Sequence, residues 1–182
     1  MGFHTFDPAR ASKLDDPTRF QYVSVEELLG ALEGGRVLDL GSGTGFYSSR
    51  LAPAVEELLA LDLEPAMHGH FRETGVPENV HLLTAVADHL PLRSGSVDGV
   101  VSTMTYHEFA TPAALSELAR VCPPGAPVVL ADWSADGPGE AGPPTTERYT
   151  AAEATEALTA AGFTVDRMEE RRETWLLVAS AE

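Results

Sequence analysis

The sequence predicts an α/β fold in which a largely parallel sheet is covered by helices on both faces. Five short segments are apolar almost throughout, and helical patterns separate them along the chain. Strands buried on both faces have this composition, and parallel neighbours need a crossover between them. Only a few residues separate the last two strand-like segments, which predicts an antiparallel hairpin at the sheet edge.

The individual elements follow from apolar runs, capping residues and breakers. The predicted strands are 36–40, 57–63, 80–85, 97–103, 126–132, 163–170 and 173–179. Helices are predicted near 45–52, 65–74 and 112–121, the last with Thr111 as its N-cap. The pairs Ser24–Glu27 and Thr150–Glu153 are typical of capping boxes, and they predict helices that run to Gly34 and Gly162.

Two stretches fall outside this alternation. Residues 1–23 contain Asp-Pro twice and are predicted to form an irregular arm. Residues 134–148 are rich in Gly and Pro and are too long for a simple connection, which predicts a functional loop or lid. No internal repeat or interdomain linker is evident, so we expect a single domain over residues 1–182.

Composition narrows the class of protein. The chain has 28 acidic and 12 basic residues and a net charge of −16, which disfavours nucleic acid as a partner. No stretch has the roughly 20 apolar residues of a membrane helix, and the first residues lack a signal-peptide pattern. Cys122 is the only cysteine, so an intramolecular disulfide is impossible. We therefore expect a cytoplasmic protein without a membrane partner, and the acidity suggests a cytoplasm of molar salt.

The segment VLDLGSGTG (37–45) joins the first strand to a helix through three glycines. A phosphate-binding loop of the Walker type would need a Lys followed by Ser or Thr, and no Lys is present there. A dinucleotide fingerprint would need glycine at position 46, where Phe46 stands. The remaining pattern, D-x-G-x-G-x-G, places Asp39 at the carboxyl end of the strand, where open α/β sheets bind ligands.

Further carboxylates follow the next two strands. Asp39 suits a ligand with an amino group, and Asp62 can accept hydrogen bonds from the two hydroxyls of a ribose. Asp88 could face the exocyclic amine of an adenine. An amino-acid end, a ribose and an adenine, in that order, are the parts of S-adenosylmethionine. Each of these residues could instead be a helix cap or a loop anchor.

With these residues the chain resembles the class I S-adenosylmethionine-dependent methyltransferases. It is most similar to their small-molecule branch, the ubiquinone and menaquinone methyltransferase type. The resemblance spans about residues 24–179 and includes VLDLGSGTG, LALDLEPAM, ADHLPLRSGSVDGVVS, ELARVCPPGAPVVLADW and AGF. Many relatives have Gly-Asp where this chain has Ala85-Val86, so the contact to the adenine amine falls to Asp88 or to water.

The resemblance implies a Rossmann-like, doubly wound sheet of seven strands in the order 3-2-1-4-5-7-6, with strand 7 antiparallel. It implies S-adenosyl-L-methionine as cofactor, with the backbone N–H of Ala87 directed to the adenine ring. The implied cofactor-binding residues are Asp39, Gly41, Ser42, Gly43, Gly45, Asp62, Leu63, Ala87, Asp88 and Thr103.

The segment after the fourth strand borders both donor and acceptor in this family. A hydroxyl, thiol or amine acceptor must lose a proton, and His107 is the first candidate base, with Tyr106 second. His107 could equally be a passive wall of the pocket. The sequence predicts a small-molecule acceptor without fixing whether O, N, S or C is methylated. The alternative function is a non-catalytic S-adenosylmethionine-binding sensor or partner subunit.

The remaining histidines carry little signal. His68 and His70 lie two residues apart on a predicted helix and therefore point to different sides, so they do not predict a metal site. An oxidoreductase with a nucleotide cofactor is disfavoured, because the dinucleotide fingerprint is broken at Phe46.

The net charge of −16 leads to a prediction about salt. If the acidity is an adaptation to molar salt, the melting temperature should rise between low and molar KCl, because salt screens the repulsion between carboxylates. Differential scanning calorimetry over that range measures the effect. A melting temperature that stays flat or falls would contradict the adaptation.

Overall fold

Seven strands form one mixed sheet in the order β3-β2-β1-β4-β5-β7-β6. The structure is a computed structural model and describes residues 14–182, so part of the expected arm 1–23 lies outside the described residues. The strands are β1 (Arg36–Leu40), β2 (Glu57–Asp62), β3 (Val80–Thr84), β4 (Gly99–Thr103), β5 (Pro127–Trp133), β6 (Phe163–Glu170) and β7 (Thr174–Ala181).

The helices are short, with four to ten residues each. They are α1 (Val25–Leu29), α2 (Ser48–Leu51), α3 (Pro65–Thr74), α4 (Tyr106–Phe109), α5 (Pro112–Val121) and α6 (Ala151–Ala160). Among the described residues, 3₁₀ turns lie at Pro17–Gln21, Ala52–Ala54 and Thr145–Glu147. Both predicted capping boxes are present, at Ser24 and Thr150.

Two of the predicted helices were too long. The helix expected over 45–52 begins only at Ser48, because Gly45 has a φ of +80°, which a right-handed helix does not allow. The helix that begins after Ser24 ends at Leu29, just before Gly30, a poor helix former. The helices predicted at 65–74 and 112–121 are confirmed to the residue.

The predicted topology is confirmed. Strands β1 to β5 are parallel to one another, whereas β7 is antiparallel to both β5 and β6. The hairpin pairs Phe163 with Ala181, with a register shift between Val165 and Arg167. The strand order reverses between β1 and β4, and a crevice at the carboxyl ends of the strands is the expected ligand site at such a point.

Side chains from the sheet enter two separate cores, one on each face. Alternate residues of a strand point to opposite faces, and in β1 Val37 enters one core while Leu38 enters the other. The first core contains Leu28, Leu51 and Phe71 from the helices α1 to α3. The second core contains the buried side chains of α4, α5 and α6. The sheet is therefore covered on both sides, as the sequence predicted.

The Gly/Pro-rich loop 134–148 is held by a buried arginine at its end. The Arg148 side chain is 1% exposed and pairs with Glu173, which is 8% exposed, at an N–O distance of 3.3 Å. The same guanidinium donates to the carbonyls of Ala141, Pro143 and Ser134. One side chain therefore fixes the path of the loop over the edge of the sheet.

We expect Arg148→Met to lower the free energy of unfolding by about 3–5 kcal/mol, because it leaves the Glu173 carboxylate buried without its cation. The matched control is Arg172→Met, which removes an exposed pair with Glu140 and should cost less than about 1 kcal/mol. Urea denaturation followed by circular dichroism measures both. Equal losses in the two variants would show that the Arg148 pair does not anchor the loop.

Candidate active site

A cavity of about 680 Å³ lies at the carboxyl ends of strands β1 to β5. This volume falls within the range of sites for cofactors and small molecules. The loops after β1, β2 and β3 line one half, with residues 41–43, 62–64 and 85–88. The loops after β4 and β5 line the other half, with residues 103–105, 107–109, Trp133, Gly142, Pro143 and Glu147. Leu14, Arg19 and Tyr22 of the N-terminal segment also line it.

The glycine loop after β1 needs glycine for two different contacts. At Gly41 φ is +77°, and a Cβ there would stand 2.3 Å from Cγ2 of Thr105 in the loop after β4. At Gly45 φ is +80°, and a Cβ would stand 2.3 Å from the ring of Phe71 on α3. Gly41 therefore lets the two central loops meet, whereas Gly45 lets α3 pack against the start of α2.

Asp62 connects the glycine loop to the end of β2. One carboxylate oxygen accepts a hydrogen bond from the backbone N–H of Gly43 at 2.8 Å, and the other accepts from that of Glu64 at 2.9 Å. These bonds fix the carboxylate at the cavity wall, with lone pairs left for a further donor on each oxygen. A pair of ribose hydroxyls is such a donor set.

Two large apolar side chains are exposed beside this carboxylate. Leu63 is 45% exposed and Val86 is 47% exposed, and both line the cavity. Exposed apolar side chains grouped at a cavity indicate a surface that a ligand covers. Ala87 and Asp88 line the same part, where Asp88 accepts a hydrogen bond from the Thr111 hydroxyl at 2.6 Å. The position suits a flat, largely apolar ring.

Asp39 lies beneath the glycine loop, and neither Asp39 nor Gly45, the last glycine of that loop, lines the cavity. Asp39 is 1% exposed, and the Ser48 hydroxyl donates to its Oδ2 at 2.5 Å. Burial raises the pKa of Asp39 to about 6, with a smaller contribution from the charge of Asp62. Its Oδ1 and the Oγ of Ser42 have no hydrogen-bond partner within residues 14–182. Ser42 itself lines the cavity, although its hydroxyl oxygen is buried.

His107 lies at the start of α4 and is oriented by Asp132 from the end of β5. Asp132 is 1% exposed and accepts from the His107 backbone N–H at 2.6 Å; its oxygens lie 2.9 and 3.0 Å from Nδ1. An aspartate at Nδ1 favours the tautomer with the proton there, which leaves the lone pair of Nε2 free to accept a proton. His107 lines the cavity.

The pKa of His107 is raised above its ordinary value of 6.5. Burial lowers it, but the hydrogen bond and charge of Asp132, with the carboxylates of Glu108 and Glu147, outweigh burial. Burial also raises the pKa of Glu108 to about 7. The Nε2 atom of His107 lies 3.8 Å from Oε1 of Glu108. Two proton-exchanging groups therefore adjoin each other at the cavity.

Tyr106, which the sequence made the second candidate base after His107, does not line the cavity. Its side chain is 1% exposed and packs edge-on against the rings of Phe109, Tyr149 and Trp175. Burial raises the pKa of its hydroxyl far above the ordinary value. Because α4 is helical, adjacent residues point in different directions, and His107 faces the cavity where Tyr106 faces the core.

Sequence reasoning missed Arg19 and Tyr22 at the cavity, and it missed Asp132, which lies behind His107. A signal was available for Asp132, because it ends a strand as Asp39 and Asp62 do. None was available for Arg19 and Tyr22, which belong to the arm. Arg19 packs over the rings of Phe46 and Tyr47 and is the one arginine or lysine among the cavity-lining residues in the described part of the chain.

The two histidines of α3 point in different directions, as predicted. His68 is buried at 1% exposure, with Nδ1 3.3 Å from the Thr84 hydroxyl, whereas the His70 side chain is 42% exposed. Within residues 14–182 no group of three or more His, Cys, Asp or Glu side chains is arranged to hold a metal ion.

The fold and the cavity define a protein that binds a nucleoside-containing ligand at the switch point of a doubly wound sheet. Comparison with known proteins specifies the class. The family described as "Methyltransferase domain" matches residues 38–130. The chain belongs to this family of S-adenosylmethionine-dependent methyltransferases, which confirms the predicted family, enzyme class and cofactor.

A crystal structure of an S-adenosylmethionine-dependent methyltransferase from Aquifex aeolicus is similar over 98% of this chain and 100% of its own, with a TM-score of 0.87 and 31% identity. Among curated relatives, the biotin biosynthesis bifunctional protein BioHC of Cellvibrio japonicus is 34% identical over 63% of this chain and 22% of its own length. A malonyl-[acyl-carrier protein] O-methyltransferase of a Marinomonas strain is 36% identical over 71% of this chain and 50% of its own. The chain thus spans half or less of these two curated relatives.

The residues at the cavity fit S-adenosylmethionine. A carboxylate with free lone pairs lies at the end of β2, exposed apolar side chains adjoin it, and Ser42, whose buried hydroxyl has no partner among the described residues, lines the cavity at the glycine loop. These groups match a ribose, an adenine and the polar amino-acid end.

The position of Asp62 leads to a prediction about cofactor affinity. Asp62→Ala should weaken binding of S-adenosylhomocysteine by about 1.5–3 kcal/mol, because charge-assisted hydrogen bonds to the ribose are lost. Glu73→Ala on α3, whose side chain is 78% exposed and outside the cavity, is the control of equal charge. Isothermal titration calorimetry measures both. Undiminished affinity in the Asp62 variant would refute the ribose assignment.

Proposed function

We propose that this chain transfers the methyl group of S-adenosylmethionine to a small-molecule acceptor, with His107 as the general base. The observation that carries this proposal is the His107–Asp132 pair, which holds an oriented imidazole in the wall of the cavity that Asp62 also lines. A cavity with ribose-binding features in one half and an oriented imidazole in the other suits a transfer between two bound molecules. When bound, the cofactor supplies a methyl group that its sulfonium already activates.

The donor half would hold the cofactor through the residues on the ends of β1, β2 and β3. Asp62 would accept from the ribose, Leu63 and Val86 would cover the adenine, and Ala87 would offer its backbone N–H. Gly41, Ser42 and Gly43 would adjoin the methionine end, with Asp39 supporting the loop from below. Asp88 and Thr103 line the cavity on either side of this region.

Arg19 adds a contact that the sequence did not indicate. Its guanidinium lies at the cavity beside the glycine loop and donates to the Leu14 carbonyl at 2.8 Å. A guanidinium can bind a carboxylate through two parallel hydrogen bonds. We assign it to the carboxylate of the methionine end, since that is the anionic group of the cofactor.

In the acceptor half, the protein would align the nucleophile and take its proton. Alignment of two reactants can supply a large part of the acceleration. Asp132 holds the imidazole with Nε2 free and stabilises the imidazolium after it has accepted a proton. The loop 134–148 contributes Gly142, Pro143 and Glu147 to this wall and would exclude water by closing over the acceptor.

A small acceptor is favoured over a nucleic acid by charge. A relative named tRNA U34 carboxymethyltransferase, from Syntrophotalea carbinolica, is 33% identical over 60% of this chain and 35% of its own length. This chain, however, has a net charge of −16, and an RNA backbone would meet a repulsive field. No helix among residues 14–182 is long and apolar enough to cross a bilayer. We propose that the chain acts as one domain in a cytoplasm of high salt.

We expect His107→Gln to lower turnover by about 10²-fold or more, because the variant has no base at this position. Its affinity for S-adenosylhomocysteine should be unchanged. His70→Gln, on the exposed side of α3, is the control and should keep full turnover. The measurement is release of S-adenosylhomocysteine with an accepted substrate. Full turnover of the His107 variant would contradict the base, and cofactor binding without turnover on any acceptor would favour a sensor or partner subunit.

The raised pKa of His107 sets the expected pH dependence. The base acts in its neutral form, so the rate should increase as the pH passes through a pKa above 6.5. The facing carboxylates are Asp132, Glu108 and Glu147. Asp132→Asn removes the strongest of these charges, so the midpoint should move to lower pH. A midpoint unaffected by this substitution in the kcat profile would show that another group titrates.

A further inference from the structure

We infer that the acceptor is an amine that is positively charged in free solution, so that the nitrogen is the methylated atom. This inference rests on the proposed function, because it concerns the acceptor half of the same cavity. The observation that carries it is the set of side chains that line the acceptor half. Its titratable side chains are two carboxylates and an imidazole, beside the hydroxyls of Thr103 and Thr105, and aromatic rings form part of its apolar wall.

Two carboxylates face this part of the cavity. Glu108 follows His107 on α4, and Glu147 lies at the rim, near enough to His107 to favour its protonated form. Asp132 adds a third negative charge directly behind the imidazole. A carboxylate or phosphate on the acceptor would lie among these like charges, which is costly where solvent is excluded.

Apart from the imidazole of His107, no basic side chain of the described residues lines the acceptor half. The guanidinium that lines the cavity is that of Arg19, which lies on the side of the glycine loop. Arg148 lies close to Trp133, but it is directed away into its pair with Glu173. A cationic acceptor would supply the missing positive charge.

The carboxyl group of Glu108 would be stabilised in its ionised form by a positive charge beside it. Burial raises its pKa to about 7, the imidazole of His107 lowers it, and the charges of Asp62 and Asp132 raise it further. An ammonium group beside it would stabilise the carboxylate, so binding of the acceptor and ionisation of Glu108 would reinforce each other. An anionic acceptor would have the opposite effect.

The aromatic side chains of the cavity wall are also suited to binding an organic cation. The rings of Tyr22 and Trp133 meet at a centroid distance of 4.7 Å and an interplanar angle of 65°, and both line the cavity. Aromatic side chains combined with carboxylates are a recurring environment for organic cations. They also pack favourably against the apolar part of an amine.

The reaction balances with the groups present. The bound ammonium first loses a proton to Nε2 of His107, which exposes the nitrogen lone pair. That lone pair forms the bond to the methyl carbon as the carbon–sulfur bond breaks, and the electron pair of the broken bond stays on sulfur. The products are S-adenosylhomocysteine and the methylated ammonium, with the first proton on the imidazolium, from which it passes to solvent.

The test uses the full chain saturated with S-adenosylhomocysteine at pH 8, where a carboxyl group with a pKa of about 7 is mostly ionised. Two probes of similar size and opposite charge, benzyltrimethylammonium and phenylacetate, are titrated by calorimetry in physiological salt. The ammonium probe should bind at least about tenfold more tightly than the carboxylate probe.

Matched variants separate a local effect from the field of the whole chain. Glu108→Gln and Glu147→Gln should each weaken the ammonium probe about fivefold or more. Glu156→Gln, an exposed position on α6 outside the cavity, makes the same change in net charge and should stay within about twofold. Glu147 is exposed at the rim, so its variant keeps the test valid should Glu108→Gln fail to fold.

Three results would overturn the inference: tighter or equal binding of phenylacetate, equal weakening in all three variants, or no binding of the ammonium probe to protein that holds S-adenosylhomocysteine. Failure to bind S-adenosylhomocysteine is a separate result, and it would refute the proposed function itself. The calorimetric titration of that cofactor product, made first, distinguishes the two.

Discussion

The close approach of two loops at the switch point of the sheet determines the geometry of the whole site. The Thr105 side chain lies so near Gly41 that no Cβ fits there, and its hydroxyl lies 3.3 Å from the Gly41 carbonyl. The preceding residue, Met104, adopts a φ of +58°, which is unfavourable for a side-chain-bearing residue. This contact fixes the glycine loop relative to α4. It thereby brings the carboxylate of Asp62 after β2 and the imidazole of α4 into the wall of one cavity.

Carboxylates dominate the electrostatics of this cavity, and two of them are held where ionisation is unfavourable. Burial raises the pKa of Asp39 to about 6 and that of Glu108 to about 7. Such groups reduce the stability of the fold, because each must lose hydration or remain protonated. A positively charged ligand beside Glu108 would favour the ionised form of its carboxyl group. The stability of the fold therefore does not explain why these carboxyl groups are buried here.

Segments from both ends of the chain complete the cavity that the sheet begins. The arm is tied to the glycine loop by the Thr44 hydroxyl, which donates to Asp15 at 2.6 Å. The loop 134–148 is held from the other side by Arg148. The arm reaches the start of this loop where Tyr22 packs against Trp133, the last residue of β5. A parallel sheet supplies only the floor of its switch-point crevice, so walls of this kind must come from segments outside the alternating pattern.

Local and periodic signals in the sequence determined the strands, the longer helices, the covered sheet and the terminal hairpin. They also placed Asp62, Ser42 and His107 at the carboxyl edge of the sheet, because the sequence shows which residues follow the end of each strand.

Only the tertiary structure decided which way each side chain points. Asp39 shares the face of Val37 and is buried under α2, and Tyr106 faces the core while its neighbour His107 faces the cavity. The partnership of His107 with Asp132, 25 residues away, and the arrival of Arg19 from the arm are contacts between distant segments. Such contacts depend on how loops fold over the sheet edge, and no periodicity in the sequence records that path.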